Sequence, residues 1–111
     1  MAMTHRFSIL LVDDEPGQRT VLAGFLRKKA HTVREAGSVG EALTLVAQEV
    51  PNIVLTDMRM TDRTGLDLLR EVRKISPDTT VIIMTAFGTI EQAVQAMQDG
   101  AYSYLTKPID L

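Results

Sequence analysis

Residues 9–16 read ILLVDDEP, and the reading of this stretch decides the fold. Four apolar residues run without alternation straight into three adjacent carboxylates, Asp13, Asp14 and Glu15. A strand that is apolar on both sides is covered on both faces, as the strands of parallel sheets flanked by helices are. Three neighbouring negative charges repel one another, so the end of this strand needs a positive partner.

The same continuous apolar character recurs in NIVLTD (52–57) and VIIMTA (81–86), while HTVREA (31–36) and AYSYLT (101–106) are weaker flanking strands. Helical spacing fills the intervals. The first helix is expected from Pro16, a residue suited to the first helical position, with Val21, Leu22, Phe25 and Leu26 as its apolar stripe. The second opens on Ser38 with Glu41 three residues later, a capping-box arrangement, and buries Ala42, Leu43 and Val46. The third follows Gly65 with Leu66, Leu69, Val72 and Ile75. The fourth starts near Thr89, with Gln92 three residues on, carries Ile90, Ala93, Val94 and Met97, and stops at Gly100. The order βαβαβαβαβ predicts an α/β fold, a doubly wound five-stranded parallel sheet with helices on both faces and right-handed crossovers.

The chain has 111 residues, enough for one domain spanning 1–111 and no second one. An apolar fraction of 45% and a charged fraction of 23% are those of a globular protein. A net charge of -2 speaks against direct nucleic-acid binding, which relies on clustered Lys and Arg. The one basic cluster, Arg27, Lys28 and Lys29, falls where the first helix should end and suits the negative end of its dipole. There is no cysteine, hence no disulfide framework and no thiolate metal site. No apolar run approaches the roughly 18 residues of a membrane span. These features together predict a cytoplasmic protein that does not enter a membrane.

In doubly wound sheets the site lies beyond the carboxyl ends of the strands. Those ends deliver Asp13 and Asp14 from the first strand, Asp57 from the third, Thr85 and Ala86 from the fourth and Lys107 after the fifth. Three carboxylates at one rim with no His or Cys among them suit a hard cation such as Mg²⁺. A carboxylate so placed can attack phosphorus to give an acyl phosphate, provided that metal and ammonium neutralise the incoming charge.

The motifs VDDE, LTDMRM with Gly65 following, MTA and YLTKP, in this order, resemble the receiver domain of two-component response regulators. The resemblance implies the flavodoxin-like and CheY-like strand order 2-1-3-4-5. It implies that Asp57 is the phosphoacceptor for a sensor histidine kinase, and that Asp13, Asp14, Asp57 and the main-chain carbonyl of Arg59 hold Mg²⁺. Thr85 would hydrogen-bond the phosphoryl group, Lys107 would pair with it, Thr85 and Tyr104 would form the switch, and Lys107-Pro108 would be a cis peptide. The first helix would face the kinase through Gln18, Val21 and Phe25. Such a domain catalyses only its own phosphorylation and dephosphorylation and is not a turnover enzyme.

The segment TAFGTIEQAVQAMQDGAYSYLTKP (85–108) looks most like the receivers of NtrC-type transcriptional activators, which implies an output domain, AAA+ ATPase and DNA-binding, outside this chain. Receivers continue into a fifth helix after the Lys-Pro pair. Here only Ile109, Asp110 and Leu111 follow, so the domain is expected to be truncated after the fifth strand, with an apolar strip along the first and fifth strands exposed and a homodimer formed through the fourth helix and fifth strand. Thr61 and Arg63 stand where the family usually has Pro and an apolar residue, which predicts a more mobile loop after Asp57. Arg59 and Phe87 should overhang the site and set the lifetime of the phosphoryl group.

Two other readings compete. A Mg²⁺-dependent aspartate-nucleophile phosphohydrolase would want a second Asp two residues after Asp57, where this chain has Arg59. A pseudo-receiver serving only as an interaction module would lack part of the acidic set, and the set is complete.

Overall fold

The computed structural model describes residues 6–29, 31–86 and 88–107. Where β-branched and aliphatic residues run together the chain is extended: β1 (Ser8–Val12), β2 (Thr32–Ala36), β3 (Ile53–Asp57), β4 (Thr80–Thr85) and β5 (Ser103–Thr106). They form one sheet in the order β2-β1-β3-β4-β5, every neighbouring pair parallel. The helices are α1 (Pro16–Lys28), α2 (Val39–Gln48), α3 (Gly65–Ile75) and α4 (Ile90–Gln98). Each begins at a side chain that accepts hydrogen bonds from its first-turn amides: Glu15 for α1, Ser38 for α2, Thr64 for α3 and Thr89 for α4. Only α3 shows a reciprocal capping box, between Thr64 and Asp67; at α2 the Ser38 hydroxyl accepts from Glu41.

Alternate residues of each strand feed two cores. Leu10, Val12, Val54, Val81 and Ile83 pack with Ala42 and Val46 of α2, Leu68, Leu69 and Val72 of α3 and Ala96 of α4. Ile9, Leu11, Val33 and Met84 face the other way, toward Ala23, Leu22 and Leu26 of α1. Among the described residues α1 is the helix on that face, and Ile53, Leu55 and Ile82 are only half-buried there. The exposed strip expected along the first and fifth strands is not seen among the described residues: Ile9 and Leu11 are buried, and Leu105 is partly buried.

Three expected stripes differ from what is observed. On α1, Leu22 and Leu26 face the core while Val21 is 74% exposed. On α3, Leu68 joins Leu69 and Val72 inside, and Ile75 lies outside. On α4, Ala96 is the buried residue, and Ile90, Val94 and Met97 face solvent. Helical spacing defines a stripe on each helix, but the neighbours decide which side of it is covered. The C-terminus of α4 follows expectation: Gly100, at φ 102, takes the left-handed conformation that ends the helix, with Ala101 N–H donating to the Ala96 carbonyl.

The loop after β3 is joined to α2 through Asp62. The carboxylate of Asp62 accepts from the amides of Val39 and Gly40, closing the N-terminus of α2, and these bonds hold its pKa below the usual carboxylate range. The Lys107-Pro108 peptide, Phe87, Asp110 and the place of a fifth helix lie outside the described residues.

Candidate functional site

Strand register brings the functional side chains level. Val12 pairs with Thr56, so Asp13 emerges beside Asp57; Thr85 pairs with Thr106, so Lys107 follows at the same rim. Asp13, Asp14, Asp57, Arg59, Thr85 and Lys107 line one open cleft of about 290 Å³, with Gln18 of α1 on its wall. All the site residues expected at the strand ends converge there.

Among the described residues, the cation standing between these carboxylates is the Lys107 ammonium. Its Nζ lies 2.7 Å from Asp57 Oδ2, 3.5 Å from Asp13 Oδ2 and 3.1 Å from Gln18 Oε1. Burial alone would lower its pKa, but the hydrogen bond and charge of Asp57, joined by those of Asp13, outweigh this and hold it above the ordinary lysine value. Asp13 is buried and firmly placed: its N–H donates to the Ala36 carbonyl at 3.0 Å, its carbonyl accepts from Arg19 Nη1 at 2.7 Å, and its Oδ1 accepts from Glu15 N–H at 2.9 Å. Glu15 lines the same cleft but spends its carboxylate elsewhere. Its carboxylate caps α1 through the amides of Gln18 and Gly17, which lower its pKa.

Asp57 is held at a backbone crossing that only glycine permits. A Cβ on Gly65 would stand 2.5 Å from the Asp57 carbonyl oxygen, while Gly65 N–H donates to the Met58 carbonyl at 2.7 Å. Beyond it Arg59 N–H approaches Asp57 Oδ1 at 3.4 Å and Arg59 bridges to Thr64 across the loop.

Thr85 connects the rim to the interior. Its carbonyl accepts from Lys107 N–H at 2.8 Å, and its side chain shares a hydrogen bond with the Tyr104 phenol. The Tyr104 ring already packs against the larger core, its hydroxyl reaching Gln92 of α4 at 3.3 Å, and burial raises its pKa. A Cβ on Gly88 would meet both Thr85 and Tyr104 within 3.0 Å, so this corner is filled. Of the residues expected to face a kinase, Val21 is exposed, Phe25 is half-buried under Lys29, and Gln18 turns its amide into the cleft.

The donor set fits a divalent cation. Asp13, Asp14 and Asp57 bring only oxygen donors to one cleft, which Arg59 also lines. Among the described residues no group of three or more His, Cys, Asp or Glu side chains converges as a ready cage. Mg²⁺ keeps several waters and takes one or two carboxylates together with substrate phosphate.

A family model, the response regulator receiver domain, matches residues 9–111. The chain belongs to this family. The response regulator protein PilR of Pseudomonas aeruginosa is 42% identical over 106 residues, covering 96% of this chain and 24% of PilR. The DNA-binding transcriptional regulator NtrC of Azospirillum brasilense is 40% identical over 104 residues, covering 94% of this chain and 22% of NtrC. The receiver is thus of the NtrC type, and the chain spans about a quarter of the length of these relatives. Among solved structures, a response regulator from Burkholderia pseudomallei with a phosphorylated aspartic acid, calcium ion and citrate superposes with a TM-score of 0.87 at 32% identity, covering 92% of this chain and 60% of that one. Among the described residues no helix is long and apolar enough to cross a membrane.

Proposed function

We propose that this receiver accepts a phosphoryl group on Asp57 from a sensor histidine kinase and thereby controls an output domain of a longer transcriptional regulator. The observation that carries the reading is the Lys107 ammonium at 2.7 Å from Asp57 within an all-oxygen rim. A carboxylate oxygen of Asp57 forms the new O–P bond as the P–N bond of the donor breaks, and that bond's electron pair stays on the imidazole. Lys107 offsets the charge that the group brings, and Asp13 holds Lys107 in place. A divalent cation held by Asp13, Asp14, Asp57 and the Arg59 carbonyl would supply charge neutralisation at the phosphoryl oxygens. The phosphorylated aspartic acid and calcium ion of the Burkholderia relative support this assignment. The domain performs this chemistry on itself alone and turns over no foreign phosphoester.

The phosphoryl group adds a charge of about -1.5 to -2 and three acceptor oxygens, which compete with Tyr104 for the Thr85 hydroxyl. Because Tyr104 also bonds Gln92, any change at Thr85 reaches α4. Coupling of about 1–3 kcal/mol is typical of such links. The outward apolar residues of α4, Ile90, Val94 and Met97, then offer a surface to the output domain or to a second copy.

The test is incubation with Mg²⁺ and acetyl phosphate followed by intact mass measurement. One phosphoryl group should be gained, lost in Asp57→Asn and lost again on chelation. A gain that persists in Asp57→Asn removes Asp57 from the role.

A further inference from the structure

We propose that Gln18 is a positioning residue for phosphoryl transfer, holding the Lys107 ammonium in place between Asp57 and Asp13. This rests on Asp57 being the phosphoacceptor. An ammonium carries three N–H donors and no acceptor. Three oxygens surround this one: Asp57 Oδ2 at 2.7 Å, Gln18 Oε1 at 3.1 Å and Asp13 Oδ2 at 3.5 Å. The Gln18 amide must present oxygen to it, because its nitrogen side has only donors to offer.

The chain builds this contact deliberately from two directions. Glu15 accepts the Gln18 N–H at 2.7 Å and the Gly17 N–H at 3.1 Å, which locks the first turn of α1 beside the rim. Lys107 is placed from the opposite end of the chain by its own N–H on the Thr85 carbonyl. Gln18 therefore joins α1 to the end of β5 directly across the acceptor.

The chemistry explains why an amide suits this position. Two of the three ammonium partners are carboxylates that already use its charge. A third carboxylate would compete with the incoming phosphoryl oxygens, and an apolar side chain would leave the third N–H to water and the long stem free to swing. A neutral oxygen fixes the ammonium without drawing on its charge. During transfer the ammonium turns from Asp57 toward the phosphoryl oxygens while Gln18 and Asp13 keep their bonds, so it acts as a pivot.

The test uses the full chain and Gln18→Met, which keeps the length of the side chain and removes the acceptor at an exposed position. Two quantities are read: the rate of phosphorylation by acetyl phosphate with Mg²⁺, and the order of the Lys107 side chain by isotope-edited NMR. The expected result is a rate about three- to tenfold slower, as for loss of one typical solvent-accessible hydrogen bond, together with a more mobile Lys107. An unchanged rate overturns the proposal, and so does a slower rate with Lys107 as ordered as before. If the unsubstituted chain gains no phosphoryl group at Asp57, the acceptor reading itself has failed and the proposal falls with it.

Discussion

Helices α3 and α4 lie on the same face of the sheet and carry similar apolar spacing, yet they are held in opposite ways. α3 buries Gly65, Leu68, Leu69 and Val72, while α4 buries Ala96 and leaves Ile90 85%, Val94 49% and Met97 50% exposed. α4 is secured at its ends and flank: the Thr89 cap, the left-handed Gly100, the Arg70 to Asp99 ion pair at 2.8 Å and the Tyr104 to Gln92 bond. A helix fastened by a few polar contacts moves at lower cost than one seated by its side chains. Asp57, the proposed acceptor, leads into α3, the deeply seated helix, and Thr85 leads toward α4, the lightly seated one. On the proposed function, the acceptor would stand by the firmer helix and the switch by the one held by fewer buried side chains.

The largest expected effect that tests this contrast is at Leu69. Leu69→Ala should lower unfolding free energy by about 2–5 kcal/mol, whereas Val94→Ala should stay within about 0.5 kcal/mol, both read from urea melts. Comparable losses at the two positions would erase the distinction. The same difference should show without mutation as faster amide exchange in α4 than in α3.

Next in size is the crossing behind Asp57. Gly65→Ala forces a Cβ into the Asp57 carbonyl and should cost about 1–3 kcal/mol, with slower phosphorylation as the acceptor strand shifts. Gly24→Ala in α1, where a Cβ would meet nothing within 4 Å, should instead stabilise by about 0.4–1 kcal/mol.

The smallest effect separates the two caps. The Asp67 pKa is lowered, chiefly by the Thr64 amide. A depressed carboxylate contributes stability above its ordinary pKa and loses it as pH falls through the folded value, so α3 should weaken in acid. The hydroxyl cap of α4 does not titrate. Because Asp67 is 40% exposed, the contribution is on the order of 0.5 kcal/mol or less. Asp67→Asn should flatten that acid limb in a pH series of melts, and an unchanged slope would detach the cap from it.

Much of this was legible in the sequence because it depends on where apolar runs stop. An unbroken strand that ends in Asp13, Asp57 or Thr85 fixes which residues reach the carboxyl rim, and parallel order brings the rims together. The reach of long side chains is not written that way. Gln18 was expected to face a kinase; its exposed amide also lies on Lys107, 89 residues away, a contact made by two long side chains meeting across the rim. Asp62, in a loop expected to be loose, closes α2 because an acidic group finds two free amides at a helix start.

What the sequence determined by itself was the alternation of strand and helix, the caps at Ser38 and Thr89 and the identity of the rim residues, all local properties of spacing and side-chain chemistry. Tertiary structure decided that the Gln18 amide meets the Lys107 ammonium and which side of α4 faces water. Those outcomes depend on distances between segments far apart in the chain, which no local pattern encodes.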